Sequence, residues 1–113
     1  MSLFEKLSTF SEYWSPKIVS QFNGNDVVVM GIQCEFVWHS RDDTDDFFLV
    51  LDGIVMIETE QGNVTLKPGE PYVVPKGVQH RPAAQEKAHI LLIEPKGTPN
   101  TGDAKTAAQK VKL

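Results

Sequence analysis

Hydrophobic and polar residues recur along this chain with two different periods. Near the start, Leu3, Leu7, Phe10 and Trp14 follow helical spacing until Pro16, and Ser2 is followed three residues later by Glu5 as in a capping box. One short amphipathic helix is predicted within residues 1–16, packed on the rest of the chain. From Lys17 the period changes. KIVSQF, VVVMGI, EFVWH, FFLVL, IVMIETE, NVTL, PYVVP and HILLIEP are short runs rich in Val, Ile and aromatic residues, and each reads as a strand. Turn chemistry separates them: NGND at 23–26, QGN at 61–63, KPGE at 67–70 and PKG at 75–77. Many short strands at close spacing predict an all-β sandwich or small barrel over residues 17–95.

FFLVL and HILLI are apolar at consecutive positions, so both faces of those strands need cover. One face lines the interior; the other calls for the N-terminal helix or a second subunit, and a homodimer is expected on this ground. After Pro95 the sequence KGTPNTGDAKTAAQKVKL has no apolar period, and residues 96–113 read as an exposed, partly mobile polar tail.

Composition narrows the partners. A chain of 113 residues is sized for one domain. Its formal net charge of -4, with no basic cluster, removes the attraction to phosphate that drives nucleic-acid binding. No apolar run approaches the about 18 residues of a membrane span. Polar residues interrupt MSLFEKLSTF where an export signal would be apolar, so a cytoplasmic location is expected. The lone Cys34 has no partner for an internal disulfide, and its apolar neighbours predict a small buried side chain.

The chemistry gathers around two histidines. On a strand, side chains two apart share a face, so Glu35, Val37, His39 and Arg41 are predicted to project one way and Cys34, Phe36 and Trp38 the other. Asp46 opens the next strand and shares its side with Phe48 and Val50. His80 follows three residues after the glycine of a Pro-x-Gly turn, which aims its side chain.

With these residues and spacings the sequence resembles the cupins, small double-stranded β-helix barrels. Their first motif is His-x-His, then three or four residues, Glu, six residues and Gly; His39, Arg41, Asp46 and Gly53 match every interval. Their second motif is Gly, five residues, Pro-x-Gly, two residues and His; Gly69, Pro75, Gly77 and His80 match again. The FVWHS, VVPKGVQHRPA and LLIEPKGTPNTGD stretches further resemble small single-domain cupins often labelled sugar-isomerase-like. The resemblance implies a cupin jelly-roll barrel with a divalent metal (iron, manganese, nickel or zinc) held by motif residues.

This chain departs from that pattern at Arg41, which stands where cupins carry the second histidine, and a guanidinium has no lone pair to give a metal. Asp46 stands for glutamate and keeps an oxygen ligand with shorter reach. Gln33 and Ala84 replace a glycine and an asparagine of the family.

Three readings stay open. His39, Asp46 and His80 form a two-histidine, one-carboxylate metal site, with Arg41 as anchor for a small anionic substrate of an isomerase or dioxygenase-like enzyme. Alternatively, Arg41 replaces the metal by pairing with Asp46, and the barrel binds or senses a small anion. In the third, a degenerate cupin works through dimerisation. Other residues have ordinary explanations: His89 among apolar neighbours reads as packed, Asp42, Asp43 and Asp45 as a solvated turn lacking a calcium-loop pattern, and Arg81 as a rim residue.

Overall fold

A computed structural model describes residues 1–98 and 109–113. Among the described residues there is one helix, α1 (Leu3–Leu7), and eight strands: β1 (Lys17–Phe22), β2 (Asn25–Glu35), β3 (Asp46–Asp52), β4 (Val55–Thr59), β5 (Gly62–Leu66), β6 (Pro71–Val74), β7 (His80–Pro95) and β8 (Val111–Lys112). The sheet runs β5-β4-β7-β2-β1-β8, with β3 bridging β7 and β6. All pairings are antiparallel except β1 with β8. The long β7 organises the molecule: its first part pairs with β4 and its second with β3, while β2 runs along nearly all of it. The sheet therefore curls round a single interior, the all-β jelly-roll arrangement.

Alternation decides what fills that interior. Val28, Met30 and Ile32 from β2, Phe48 and Val50 from β3, Val55 and Ile57 from β4, and Ile90 and Leu92 from β7 are buried there together. Each fully buried aliphatic or aromatic side chain contributes about 1.5–3 kcal/mol. The opposite face of β2, β3 and β7 is also apolar. Val29 and Leu91 are buried under Leu7, while Phe47, Leu49, Leu51 and Ile93 are only half-covered. The N-terminal segment thus supplies part of the second layer that consecutive apolar residues demanded.

The Asn23-Gly24 turn has both central residues at positive φ (50° and 76°), the geometry that matches a hairpin's twist, and it joins β1 to β2.

Four expectations need correction. The helix ends at Leu7, capped by Ser2, whose hydroxyl accepts from the Glu5 amide. Phe10 and Trp14 lie beyond it, because Tyr13 bridges Gly31 and the Trp14 amide donates to Gly31 O; sheet pairing wins over the helical spacing. Cys34 is exposed rather than buried: a bulge between Ile32 and Cys34 turns it out at φ 65°. The predicted parity also fails, because β2 ends at Glu35 and residues 36–38 leave strand geometry before His39 bridges His80; Glu35 and Val37 face solvent while His39 and Arg41 are buried. Finally, the end of the polar tail is built into the sheet as β8. Residues 99–108 of that stretch lie outside the described residues.

Candidate functional site

The two motif histidines meet through their main chains. His39 donates its amide to His80 O (3.0 Å) and His80 donates back to His39 O (2.9 Å), a single bridge that sets the two residues opposite each other. Their rings stand 4.4 Å apart, and the Phe36 ring, stacked on Trp14, packs edge-on against His39. The Pro75-Lys76-Gly77 turn aims His80 because it is tied down twice: the Gly77 amide donates to Arg41 O and the Lys76 amide to Asp45 Oδ1. Asp42, Asp43 and Asp45 are exposed, so the acidic run is a solvated turn. It delivers Asp46 as the first residue of β3, on the buried side with Phe48 and Val50.

Hydrogen bonding fixes which nitrogen of each histidine faces the site. His39 Nδ1 lies 2.9 Å from Val37 O, and His80 Nδ1 lies 2.9 Å from Val78 O. A carbonyl only accepts, so both Nδ1 atoms donate, and both Nε2 atoms point at Asp46 Oδ2, from 3.8 Å for His39 and 2.8 Å for His80. A neutral imidazole whose Nδ1 carries the proton presents a lone pair at Nε2. Two lone pairs converging on a carboxylate require a cation between them, either an added proton or a metal ion.

Arg41 is buried in the same cluster. Its Nε lies 3.1 Å from Asp46 Oδ2 and its Nη2 3.1 Å from Glu94 Oε2. Glu94 in turn receives Lys110 Nζ at 2.7 Å on Oε1, and Lys110 also reaches Asp26 Oδ2 at 3.3 Å. Burial by itself would raise the Asp46 carboxyl, but the His39 and His80 imidazoles facing it and the charge of Arg41 hold it well below the usual carboxylate range. Burial raises Glu94, helped by the charge of Asp46 and opposed by Lys110 and Arg41. Among the described residues of this cluster, three carboxylates (Asp26, Asp46, Glu94) face two fixed cations (Arg41, Lys110).

The ligating atoms of His39, Asp46 and His80 all lie within 4.8 Å of one another. Donors bound at about 2.1 Å around one ion stand about 3 Å apart when adjacent, so small adjustments suffice to coordinate. Asp46 Oδ1, buried and without a hydrogen-bond partner among the described residues, offers a further oxygen. The residues present therefore fit a divalent metal. Beside them is a cavity of about 20 Å³, lined by His39, Arg41, Asp46 and Glu94 against Phe36 and Phe48; it has room for about one water-sized group.

The remaining candidates sit elsewhere. His89 pairs with Asp52 (2.8 Å) and packs beside Gly31. Arg81 lies at the rim, with Nε 2.6 Å from Glu58 Oε2 and its guanidinium over the exposed Trp38 ring. Sequence reasoning missed three members of the cluster. Asp26 and Glu94 were within reach of parity, since they share faces with Val28 and Leu92. Lys110 carried no signal.

Residues 26–94 match the cupin domain family. The chain belongs to the cupins. A solved cupin-2 domain protein from Shewanella frigidimarina is 40% identical, the match covering 85% of this cupin and 94% of that chain with a TM-score of 0.83. The uncharacterised protein YdbB of Bacillus subtilis is 29% identical over 79 residues, which is 69% of this cupin and 70% of YdbB. Hydroquinone 1,2-dioxygenase PnpCD, solved in complex with Fe3+, shares the fold at 18% identity and a TM-score of 0.76, over 89% of this cupin and 33% of its own chain. None of the helices among the described residues is long and apolar enough to cross a membrane.

Proposed function

We propose that this cupin binds one divalent metal ion through His39 Nε2, His80 Nε2 and the Asp46 carboxylate, and uses the remaining coordination positions for a small anionic ligand. The observation that carries this reading is the convergence of two Nε2 atoms, fixed by Val37 O and Val78 O, on one buried carboxylate. Two histidines and a carboxylate suit iron, manganese, nickel or zinc, and a bound ion would supply Lewis acidity. The protein's own part is to orient the imidazoles through the Val37 and Val78 carbonyls and to exclude water with Phe36, Phe48 and Trp14. Arg41 lines the same small cavity and offers a fixed charge to an anionic group there. A cytoplasmic homodimer completes the reading, supported by the half-covered apolar face of Phe47, Leu49, Leu51 and Ile93.

One observation favours a second reading: Arg41 Nε already stands 3.1 Å from Asp46 Oδ2, where it serves as the cation. On that reading the barrel is a metal-free module that binds a small anion or a second copy. Elemental mass spectrometry of untagged protein, purified without chelator, separates the two. Close to one equivalent of metal per chain in wild type, lost in His80→Ala, is the expected result. An empty wild type beside a filled Arg41→His variant would establish that the arginine has displaced the metal.

A further inference from the structure

The last strand contributes more than two sheet pairs. β8 is tied to the barrel by Val111 N donating to Pro16 O (3.1 Å) and Leu113 N donating to Ile18 O (2.9 Å), and its own side chains are exposed. Just before it, the Lys110 side chain is only 12% exposed, and it meets Glu94 and Asp26, whose side chains are each 2% exposed. Charges then alternate inward: Lys110 on Glu94 Oε1 (2.7 Å), Glu94 Oε2 on Arg41 Nη2 (3.1 Å), and Arg41 Nε on Asp46 Oδ2 (3.1 Å). Asp46 is the candidate metal ligand. A buried carboxylate is tolerated only with a counter-ion, and Arg41 is shared between Glu94 and Asp46. Lys110 therefore balances Glu94 from the other side and stops it from drawing the guanidinium away.

We propose that Lys110 is a positioning residue of this site: by holding Glu94 it keeps the Arg41 guanidinium over Asp46, and so lowers the affinity of the histidine cluster for a divalent cation. Without the lysine, an ionised Glu94 has Arg41 as its remaining cation among the described residues and draws it off Asp46, while the local charge falls by one. Both changes favour a divalent ion, by on the order of tenfold in affinity. This second consequence rests on the metal reading above; the position of Arg41 does not.

The test uses the full metal-free chain, labelled with nitrogen-15, as wild type, Lys110→Met and Lys110→Arg. The chain has two arginines, Arg41 and Arg81, so two Nε–H signals are observed, and Arg81, paired with Glu58, serves as the internal reference. The expected result is that the Arg41 signal moves and loses protection from exchange in Lys110→Met, stays in Lys110→Arg, and that Arg81 is unchanged in both. Titration of the same proteins with Zn2+ then gives a Lys110→Met affinity about tenfold tighter than wild type, restored by arginine. An unmoved Arg41 signal in Lys110→Met overturns the proposal, as does a moved signal with equal or weaker Zn2+ binding. Loss of both arginine signals also overturns it, because Lys110 would then be holding up the barrel. If no protein binds Zn2+, the metal reading falls, while a moved Arg41 signal upholds the positioning role.

Discussion

Replacing Asp46 by asparagine in metal-free protein isolates the charge at the centre of the cluster. The shape is kept, and the asparagine amide can donate to His80 Nε2, so the histidine keeps a hydrogen bond. What is lost is the negative charge 3.1 Å from Arg41 Nε, in a side chain only 2% exposed. Removing one partner of a buried ion pair costs about 3–5 kcal/mol. Glu94 still holds Arg41, which puts the expected loss at the lower end, about 3 kcal/mol of the roughly 5–15 kcal/mol that a domain possesses. For 113 residues, 1 kcal/mol corresponds to about 4 °C, so the melting temperature should fall by about 12 °C.

The pH dependence has a definite sign. Folding holds the Asp46 carboxyl below its ordinary value of 3.8, so its charge stabilises the fold above that pH and the contribution is lost as acid protonates it below. Urea unfolding of both proteins with chelator present should give a gap at about pH 5 that begins to narrow below about pH 4 and is lost only as the pH falls through the depressed folded-state value. A gap under about 1 kcal/mol at pH 7, or one that does not narrow in acid, would refute the argument that this charge is paired in the folded state.

Three further expectations are open to simple measurements. Gly53 has φ 79°, and an added Cβ would lie 2.6 Å from Ala88 Cβ and 2.8 Å from Ala88 Cα, whereas Gly24 has φ 76° and open space; Gly53→Ala should cost about 3 kcal/mol or more and Gly24→Ala about 1, and equal losses by urea unfolding would contradict this. Cys34→Val places a β-branched residue at φ 65° on an exposed bulge and should cost about 1–2 kcal/mol, while Cys34→Asn is neutral or stabilising, as thermal unfolding will report. Mn2+ or Zn2+ at about a hundred times its dissociation constant should add about 2.7 kcal/mol to wild type, weaken as protons compete for the imidazoles, and do nothing for His80→Ala; unchanged stabilisation in that variant would remove His80 from the ligand set.

Local chemistry made most of this cupin legible in its sequence. Strand runs and turn residues act over a few neighbours, so the hairpin at Asn23-Gly24 and the inward alternation of Phe48 and Val50 could be read directly. The two spaced motifs likewise named His39, Asp46 and His80, because each sits a set number of residues from a turn that aims it. Tertiary structure decided where alternation stops. A bulge after Ile32 turned Cys34 outward, the end of β2 at Glu35 parted Glu35 and Val37 from His39 and Arg41, and the bridge from Tyr13 to Gly31 overrode a helical spacing that reached Trp14. It also decided the electrostatics of the site. Lys110 is 84 residues from Asp26, and its charge reaches the buried carboxylates only because β8 pairs with β1. Hydrophobic period and turn preference are properties of neighbours in the chain; the balance among Asp26, Arg41, Asp46, Glu94 and Lys110 is a property of neighbours in space.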